Sequence, residues 1–292
     1  MPDTAVLLQI LVSGLGLGLI YGLVGIGFCT IYNASGIVNF GQGAFVMLGA
    51  MIAHALLTRA GIPLFPAALM AIVAVTVFGV VMERLVVRPL WTRNATMFVM
   101  ILATLAAQIV VERATLLTLG DQPRMLPGFS SMPPMRVGPI AVSSQLLWIA
   151  GVSAALVVLL AVFFRATRVG KAMRACAIDR EAASLQGIPV TRMVSYSFAL
   201  SAALGATAGI LITPTQYTAF NVGVPFAISG FIAAIIGGFG NAMGALGGGI
   251  MLGVVQALAI VFFGAGMKSA AALLILLAFL LVRPSGLFGK GN

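Results

Sequence analysis

Residues 165–192 read RATRVGKAMRACAIDREAASLQGIPVTR, and they form the one strongly polar stretch in a chain of 292 residues. Apolar runs lie on either side of it, at about 143–164 and 193–213. The stretch carries six Lys and Arg residues against only two acids, Asp179 and Glu181. Loops rich in Lys and Arg stay on the cytoplasmic side of a membrane. The segment therefore predicts a cytoplasmic loop, 165–192, between two membrane-spanning helices.

The composition extends this interpretation to the whole chain. Apolar residues make up 61% of it and charged residues 8%, with a mean hydropathy of +1.15. Soluble domains carry about 25% charged residues, so lipid must be the solvent for most of this chain. A spanning helix needs about 20 apolar residues. The sequence predicts an all-α, polytopic membrane protein in which 1–292 is a single transmembrane domain, with apolar runs at about 6–31, 37–57, 64–87, 97–119, 143–164, 193–213, 226–239, 245–263 and 269–283.

The basic residues between the apolar runs predict the orientation of the chain. Three arginines mark a second cytoplasmic connection near 84–93, and two further basic residues mark a cytoplasmic C-terminus. Because successive spans cross the membrane in opposite directions, segments 120–142 and 213–225 are predicted on the outer side, together with the N-terminus. We predict nine crossings with eight as the alternative, from the positions of Arg84, Arg88, Arg93, Arg283 and Lys290.

Several classes of function are disfavoured by what the sequence contains. The net charge of +10 lies in short loops rather than on a basic face, so nucleic-acid binding is not expected. The two cysteines, Cys29 and Cys176, have no metal-ligand spacing, and His54 is the single histidine. The chain has no G-x-x-x-x-G-K-[ST] loop for phosphates. We therefore expect no enzyme activity, no metal and no cofactor in this chain, and ATP hydrolysis would need another polypeptide.

The acids outside the polar loop are expected at the ends of spans. Glu83 and Glu112 are each followed by an arginine, Arg84 and Arg113. Pairing at the membrane interface explains such neighbours better than ion coupling in the hydrocarbon region. His54 is expected at an interface as well.

The polar loop itself predicts a short helix from Lys171 to Gln186. Gly187 and Pro189 follow as stop signals. A face of small residues, which suits docking into a groove on a partner, runs along it: Ala172, Ala175, Cys176, Ala182 and Ala183. The alternative is a solvated connection, which has no need of small residues at helical spacing.

Three stretches of the chain resemble a known transporter family. Glu181-Ala182-Ala183 with Gly187 resembles the EAA-type coupling signature of ABC importer permeases. The strings GKAMRACAIDREAASLQGI, LIYGLVGIGFCTIYNASGIVNFGQGAFVMLGA and RPSGLFGK are similar to the branched-chain amino-acid permease family, in particular its LivH-like member. The Ile-x-Leu-Pro tail of other importer families is missing after Gly187. The resemblance therefore implies the vitamin-B12/ribose-importer-like fold with two related halves.

This resemblance also implies a function and a set of partners. The chain would be the permease subunit of an ABC importer in the bacterial inner membrane, carrying branched-chain amino acids or a related small polar solute. Its partners would be a related second permease subunit (LivM-like), two ATPase subunits that bind ATP, and a periplasmic solute-binding protein. A stand-alone secondary transporter or channel is the alternative. We expect coupling to the ATPase through Arg174, Asp179, Glu181, Ala182, Ala183 and Gly187.

Two segments, one in each half of the chain, look alike. Phe40-Gly41-Gln42 and Phe239-Gly240-Asn241 each open a glycine-containing apolar run. Paired, glycine-interrupted segments point to a pathway built from repeats. Uncharged polar residues near them would form the substrate path: Thr30, Asn33, Asn39, Gln42, Asn241 and Gln256. The alternative is that residues such as Asn33 and Asn39 cap broken helices.

Two rows of glycine predict close helix packing. One row is Gly14, Gly18 and Gly22, and the other is Gly240, Gly244 and Gly248. Glycines four residues apart let helix backbones approach each other in lipid. Packing within the subunit is the favoured use, and a subunit interface is the alternative.

Overall fold

The computed structural model describes residues 4–288 except 131, 139 and 284, so Lys290 lies outside the described residues. A π-helical turn, Glu83–Val87, joins α3 to α4. Each of the predicted apolar runs overlaps a helix, but the first residues of the run 37–57 are a non-helical segment before the helix that begins at Gln42. The helices of the described chain are α1 (Thr4–Ser35), α2 (Gln42–Arg59), α3 (Leu64–Met82), α4 (Arg88–Thr92), α5 (Met97–Leu119), α6 (Ser144–Ala166), α7 (Arg168–Ile178), α8 (Arg180–Leu185), α9 (Val190–Ile212), α10 (Gly223–Gly237), α11 (Ala242–Phe263) and α12 (Met267–Val282).

Among the described residues, six helical stretches are long and apolar enough to cross a membrane: α1, the continuous α3–α4 stretch, α5, α6, α9 and α11. The helices α10 and α12 are apolar but shorter. The polytopic membrane character predicted from the sequence is confirmed.

A small β-hairpin departs from the all-α prediction. Strand β1 (Met135–Val137) pairs antiparallel with β2 (Ile140–Val142) in the loop between α5 and α6. Gly138 has a φ of +63°, the left-handed conformation that tight hairpin turns require. The side chain of Gln9 exchanges two 2.9 Å hydrogen bonds with the backbone of Ala141, which ties the hairpin to α1.

Loops from distant parts of the sequence meet at the two ends of the helix bundle. At one end, Arg124 and Thr218 exchange backbone hydrogen bonds of 2.8 Å, which joins the two predicted outer loops. At the other end, the polar loop, the end of α1 and the turn between α10 and α11 meet. The Leu287 amide donates to the Ile236 carbonyl there, at 2.8 Å.

The first glycine row packs α1 against α11 within the subunit. A Cβ added to Gly18 would lie 2.6 Å from the Ile250 Cα, and one added to Gly249 would lie 2.6 Å from the Gly22 Cα. Both distances are below what any side chain tolerates, so only glycine allows this antiparallel contact. Gly14 faces Gly253 in the same seam.

The second glycine row divides between two roles. Gly244 and Gly248 face the backbone of α10, at Gly237 and Ala233. Gly240 lies before α11 in a turn, with a φ of +95°. The second row therefore packs α11 on α10 within the subunit, and Gly240 serves the turn instead.

Replacing Gly18 with Leu should destabilise the subunit, because the side chain would force α1 and α11 apart. Overpacking of a tight core costs about 1–3 kcal/mol. Gly151 of α6 has open space beside it, so Gly151→Leu is the matched control. Thermal unfolding of the detergent-purified protein should show a clearly lower Tm for Gly18→Leu alone. Equal Tm values for both variants would contradict the seam.

Candidate functional site

Helix α2 begins deep inside the bundle rather than at its surface. Gln42 is fully buried, and its Oε1 accepts a 2.6 Å hydrogen bond from the Ser201 hydroxyl. Its Nε2 donates to the Ser201 carbonyl at 3.2 Å. Ser201 is the central residue of α9, with eleven residues on either side. Gln42 therefore lies beside the middle of α9, a helix that is long enough to span a membrane.

The segment 36–41, which connects α1 to α2, is satisfied by polar groups around it. The Ile37 amide donates to the Ser35 hydroxyl at 3.2 Å, and the Gly41 amide donates to Asn39 Oδ1 at 3.0 Å. The Phe40 amide donates to the Thr104 hydroxyl of α5 at 3.2 Å. Asn39 therefore caps a broken chain, as the capping alternative predicts. Its buried Nδ2 has no hydrogen-bond partner in the described part of the chain.

Helix α10 begins at the same depth and meets α2 there. A Cβ added to Gly43 would lie 2.6 Å from the Gly223 carbonyl carbon, and one added to Gly223 would lie 2.7 Å from the Gly43 carbonyl oxygen. The first turns of two helices therefore touch through their backbones. The predicted resemblance between 40–42 and 239–241 does not describe this pair. Gly240 lies at the end of the bundle, where Asn33 Nδ2 donates to its carbonyl at 2.7 Å.

Gln108 of α5 adds an amide side chain to the contact between Gly43 of α2 and Gly223 of α10, which we call the central contact. The sequence did not predict a role for Gln108. It is 1% exposed and is the central residue of α5. Its Nε2 lies 2.7 Å from the position of a Cβ on Gly223 and donates to Glu112 Oε1 at 3.0 Å. Its Oε1 has no partner among residues that the structure describes. A Gln and a Glu four residues apart on an apolar helix were the available signal.

Glu112 itself corrects an expectation. The sequence placed it near a span end beside Arg113, but it lies seven residues before the end of α5 and accepts its hydrogen bond from Gln108. An acid therefore lies inside a helix that is long and apolar enough to span the membrane. Polar groups at such depth are expensive and mark functional paths.

The remaining predicted path residues lie in two other places. A cavity of about 620 Å³ opens at the end of the bundle beside the polar loop, and its lining includes Thr30, Asn33 and Asn241. A smaller cavity, of about 380 Å³, is lined by none of these three residues. Asn241 also caps α11, because its Oδ1 accepts from the Gly244 amide at 3.0 Å. Gln256 accepts a 2.8 Å hydrogen bond from the Tyr21 hydroxyl between α1 and α11 and lies in the packed core.

The polar loop folds as two short helices rather than the single helix predicted from Lys171 to Gln186. Asp179 separates them, and its Oδ1 accepts a 3.0 Å hydrogen bond from the Ala182 amide, which caps α8. An N-cap residue has non-helical dihedrals, so the chain must bend there. Gly187, with a φ of +79°, ends α8 as predicted.

The loop presents an apolar outer face that differs from the one expected. Cys176 and Ala183 are 1% and 4% exposed, and they pack inside the subunit against Ala34 and Met193. The exposed side chains are instead Ile178 at 88% and Leu185 at 87%, on either side of the bend. Arg174, Glu181 and Ala182 are exposed with them. We call Arg174, Ile178, Glu181, Ala182 and Leu185 the outer loop face.

Glu83 is bound by a different arginine from the one expected. Its carboxylate accepts two hydrogen bonds from the Arg88 guanidinium, at 2.9 and 3.0 Å, and a third from the Ser195 hydroxyl at 3.0 Å. Glu83 is buried, and Arg84 is not its partner. The cluster joins the α3–α4 connection to the start of α9. At the opposite end, His54 Nδ1 lies 3.5 Å from Arg124.

Residues 10–282 match the family model described as the branched-chain amino acid transport system permease component. The chain belongs to this permease family. It is 32% identical to the high-affinity branched-chain amino acid transport permease BraD of Pseudomonas aeruginosa, covering 99% of this chain and 98% of BraD.

Two further transport permeases are similar to this chain. The high-affinity branched-chain amino acid permease LivH of Escherichia coli is 32% identical over 97% of this chain and 96% of its own. The fructose import permease FruG of Bifidobacterium longum is 27% identical, over 78% of this chain and 69% of its own. The relatives are transport permeases rather than enzymes.

The chain is thus the permease subunit of an ABC importer, and a stand-alone transporter is not favoured. The described residues contain no cluster of three or more His, Cys, Asp or Glu side chains suited to a metal ion. The central contact of α2, α10 and α5 and the outer loop face are the two features that a permease can use.

The two cysteines should react slowly with a maleimide in the folded protein. Cys29 is fully buried, and burial raises the pKa of the Cys176 thiol, so little of the reactive thiolate is present at neutral pH. The Ile178→Cys variant should react at a rate close to that of the unfolded chain. Mass spectrometry of the purified protein measures both rates. Fast labelling of Cys176 would contradict the packing of the loop.

Proposed function

We propose that this permease carries a small amino acid, of the branched-chain class or close to it, across the bacterial inner membrane through the central contact of α2, α10 and α5. The observation that carries the proposal is the meeting of two helix N-termini at the depth of Ser201 and Gln108. Broken helices that begin near the midplane bind substrates in several transporter folds.

The chemistry of the central contact suits a zwitterion. The first turns of α2 and α10 present amide groups and the positive end of a helix dipole, which attract a carboxylate. Gln108 Oε1 and the Glu112 carboxylate are acceptors that suit an ammonium group. In this conformation Gly43 and Gly223 are in contact, so the route is closed at this point. The names of BraD and LivH support the amino-acid class.

The inner part of the path would be the cavity beside the polar loop. It has a volume of about 620 Å³ and a mixed lining in which Thr30, Asn33 and Asn241 supply polar groups. Solute released at the central contact would leave through it. Asn39 and Gln42 would hold the start of α2, and Gln256 would support the packing of α1 on α11.

The arrangement also supports nine crossings with the N-terminus outside. The nine apolar helices are α1, α2, α3–α4, α5, α6, α9, α10, α11 and α12, and the two predicted outer loops are joined by the bridge between Arg124 and Thr218. The α1–α2 break and the α9–α10 break approach the centre from opposite ends. Two inverted halves of this kind are consistent with the vitamin-B12/ribose-importer-like fold.

The outer loop face supports an ATPase partner for the permease. Two exposed apolar side chains, Ile178 and Leu185, stand outside the apolar helices in a loop rich in basic residues. We infer that the face binds one of two ATPase subunits, with Arg174 and Glu181 at its edge and Asp179, Ala183 and Gly187 shaping it. A related second permease subunit (LivM-like) and a periplasmic solute-binding protein complete the importer.

Replacing Gln108 with Met should lower uptake by about 10- to 150-fold, since an unmade hydrogen bond to a charged group weakens binding by about 1.5–3 kcal/mol. Uptake of radiolabelled leucine into cells that express the complete importer measures the effect. Thr118→Val is the matched control, because the Thr118 hydroxyl bonds within its own helix. Wild-type uptake by Gln108→Met would contradict the proposed path.

Neighbouring alanines test the outer loop face. Ala182→Glu should insert normally but lose the ATPase subunits, because the added carboxylate would be buried unpaired at the interface. Ala183→Glu should instead reduce the amount of folded permease, because Ala183 packs in the subunit's own core. Co-purification of the ATPase and size-exclusion chromatography separate the two results. Normal ATPase binding by Ala182→Glu would overturn the assignment.

A further inference from the structure

Arg180 of the polar loop lies against the break between α1 and α2. It is the first residue of α8, and its guanidinium covers Gly36, which directly follows α1. A Cβ added to Gly36 would lie 2.9 Å from Arg180 Nη1 and 3.0 Å from Arg180 Cζ. A side chain at position 36 would therefore displace the guanidinium. The φ of Gly36, +68°, also favours glycine there.

The charge of Arg180 suits this position. The Gly36 amide donates to the Tyr32 carbonyl at 2.6 Å, which closes the last turn of α1. The carbonyl end of a helix carries partial negative charge, and a cation stabilises it. The last turn of α1 contains no basic residue of its own. The loop supplies through Arg180 the cation that α1 lacks.

The contact joins two features that are otherwise far apart. On one side, Arg180 shares the short helix α8 with Ala182 and Leu185 of the outer loop face. On the other side, Gly36 begins the segment 36–41, which ends at Gln42 and the central contact. The amides of this segment are held by Ser35, Asn39 and Thr104, so a displacement at Gly36 acts on a connected structure.

We propose that Arg180 is a positioning residue that transmits movement of α8 to the start of α2, and so links ATP hydrolysis to opening of the central contact. The inference rests on the proposed function. It differs from docking itself, since Arg180 contacts Gly36 of the permease, whereas Leu185 and Ala182 of the outer loop face are exposed.

The complete importer in proteoliposomes tests this role. ATP hydrolysis and uptake of radiolabelled leucine are measured together for wild type, Arg180→Ala, Arg180→Lys and the control Arg168→Ala, whose side chain is exposed. We expect Arg180→Ala to assemble and hydrolyse ATP, while solute carried per ATP falls by about tenfold, a size typical of coupling between sites. Arg180→Lys should recover part of the ratio, because it keeps the charge.

A second variant separates the contact from general damage. Gly36→Ala should lower the same ratio, and the double variant Gly36→Ala/Arg180→Ala should be no worse than the stronger single variant, as residues acting through one contact are non-additive. An unchanged ratio in Arg180→Ala, or equal losses of hydrolysis and uptake, would overturn the proposal. A wild-type importer with no ATP-driven uptake would overturn the proposed function itself.

Discussion

Close backbone contact between α1 and α11 is the interaction on which the other features depend. Lipid provides no hydrophobic drive for two apolar helices to associate, so packing must come from close approach. Gly18 and Gly22 on α1 and Gly249 and Gly253 on α11 allow that approach. With α1 held in this seam, its end is fixed beside the polar loop. The break that follows α1 is thereby directed into the bundle.

A second constraint acts where helices begin inside the bundle. Backbone amides in a membrane need partners from the protein itself. Between α1 and α2 these partners are Ser35, Asn39 and Thr104, and each is used. Gln108 Oε1 and Asn39 Nδ2 remain without partners in the described chain. Polar side chains at this depth therefore hold the broken chain through hydrogen bonds. Some of them also keep a polar atom without a hydrogen-bond partner among the described residues.

The sequence predicted features that depend on local composition and missed those that depend on depth. The apolar runs located the helices, because hydropathy responds to the solvent around each segment. Hydropathy could not show that α2 and α10 begin near the centre of the helix bundle, since Gly43 and Gly223 meet only in the folded chain. The small residues of the polar loop were predicted to dock on a partner, but Cys176 and Ala183 pack inside the subunit. Whether that face turned inward depended on Asp179, whose cap bends the loop.

The π-helical turn at Glu83–Val87 has a consequence for the spacing of the chain. In a regular α-helix, residues five apart point about 140° away from each other, at roughly 100° per residue. The wider i→i+5 turn brings Glu83 and Arg88 onto one side, where the buried carboxylate finds its partner. The π-helical turn therefore contains one residue more than an α-helical turn would. The length of this segment, as much as its composition, therefore sets the direction of α4 relative to α3.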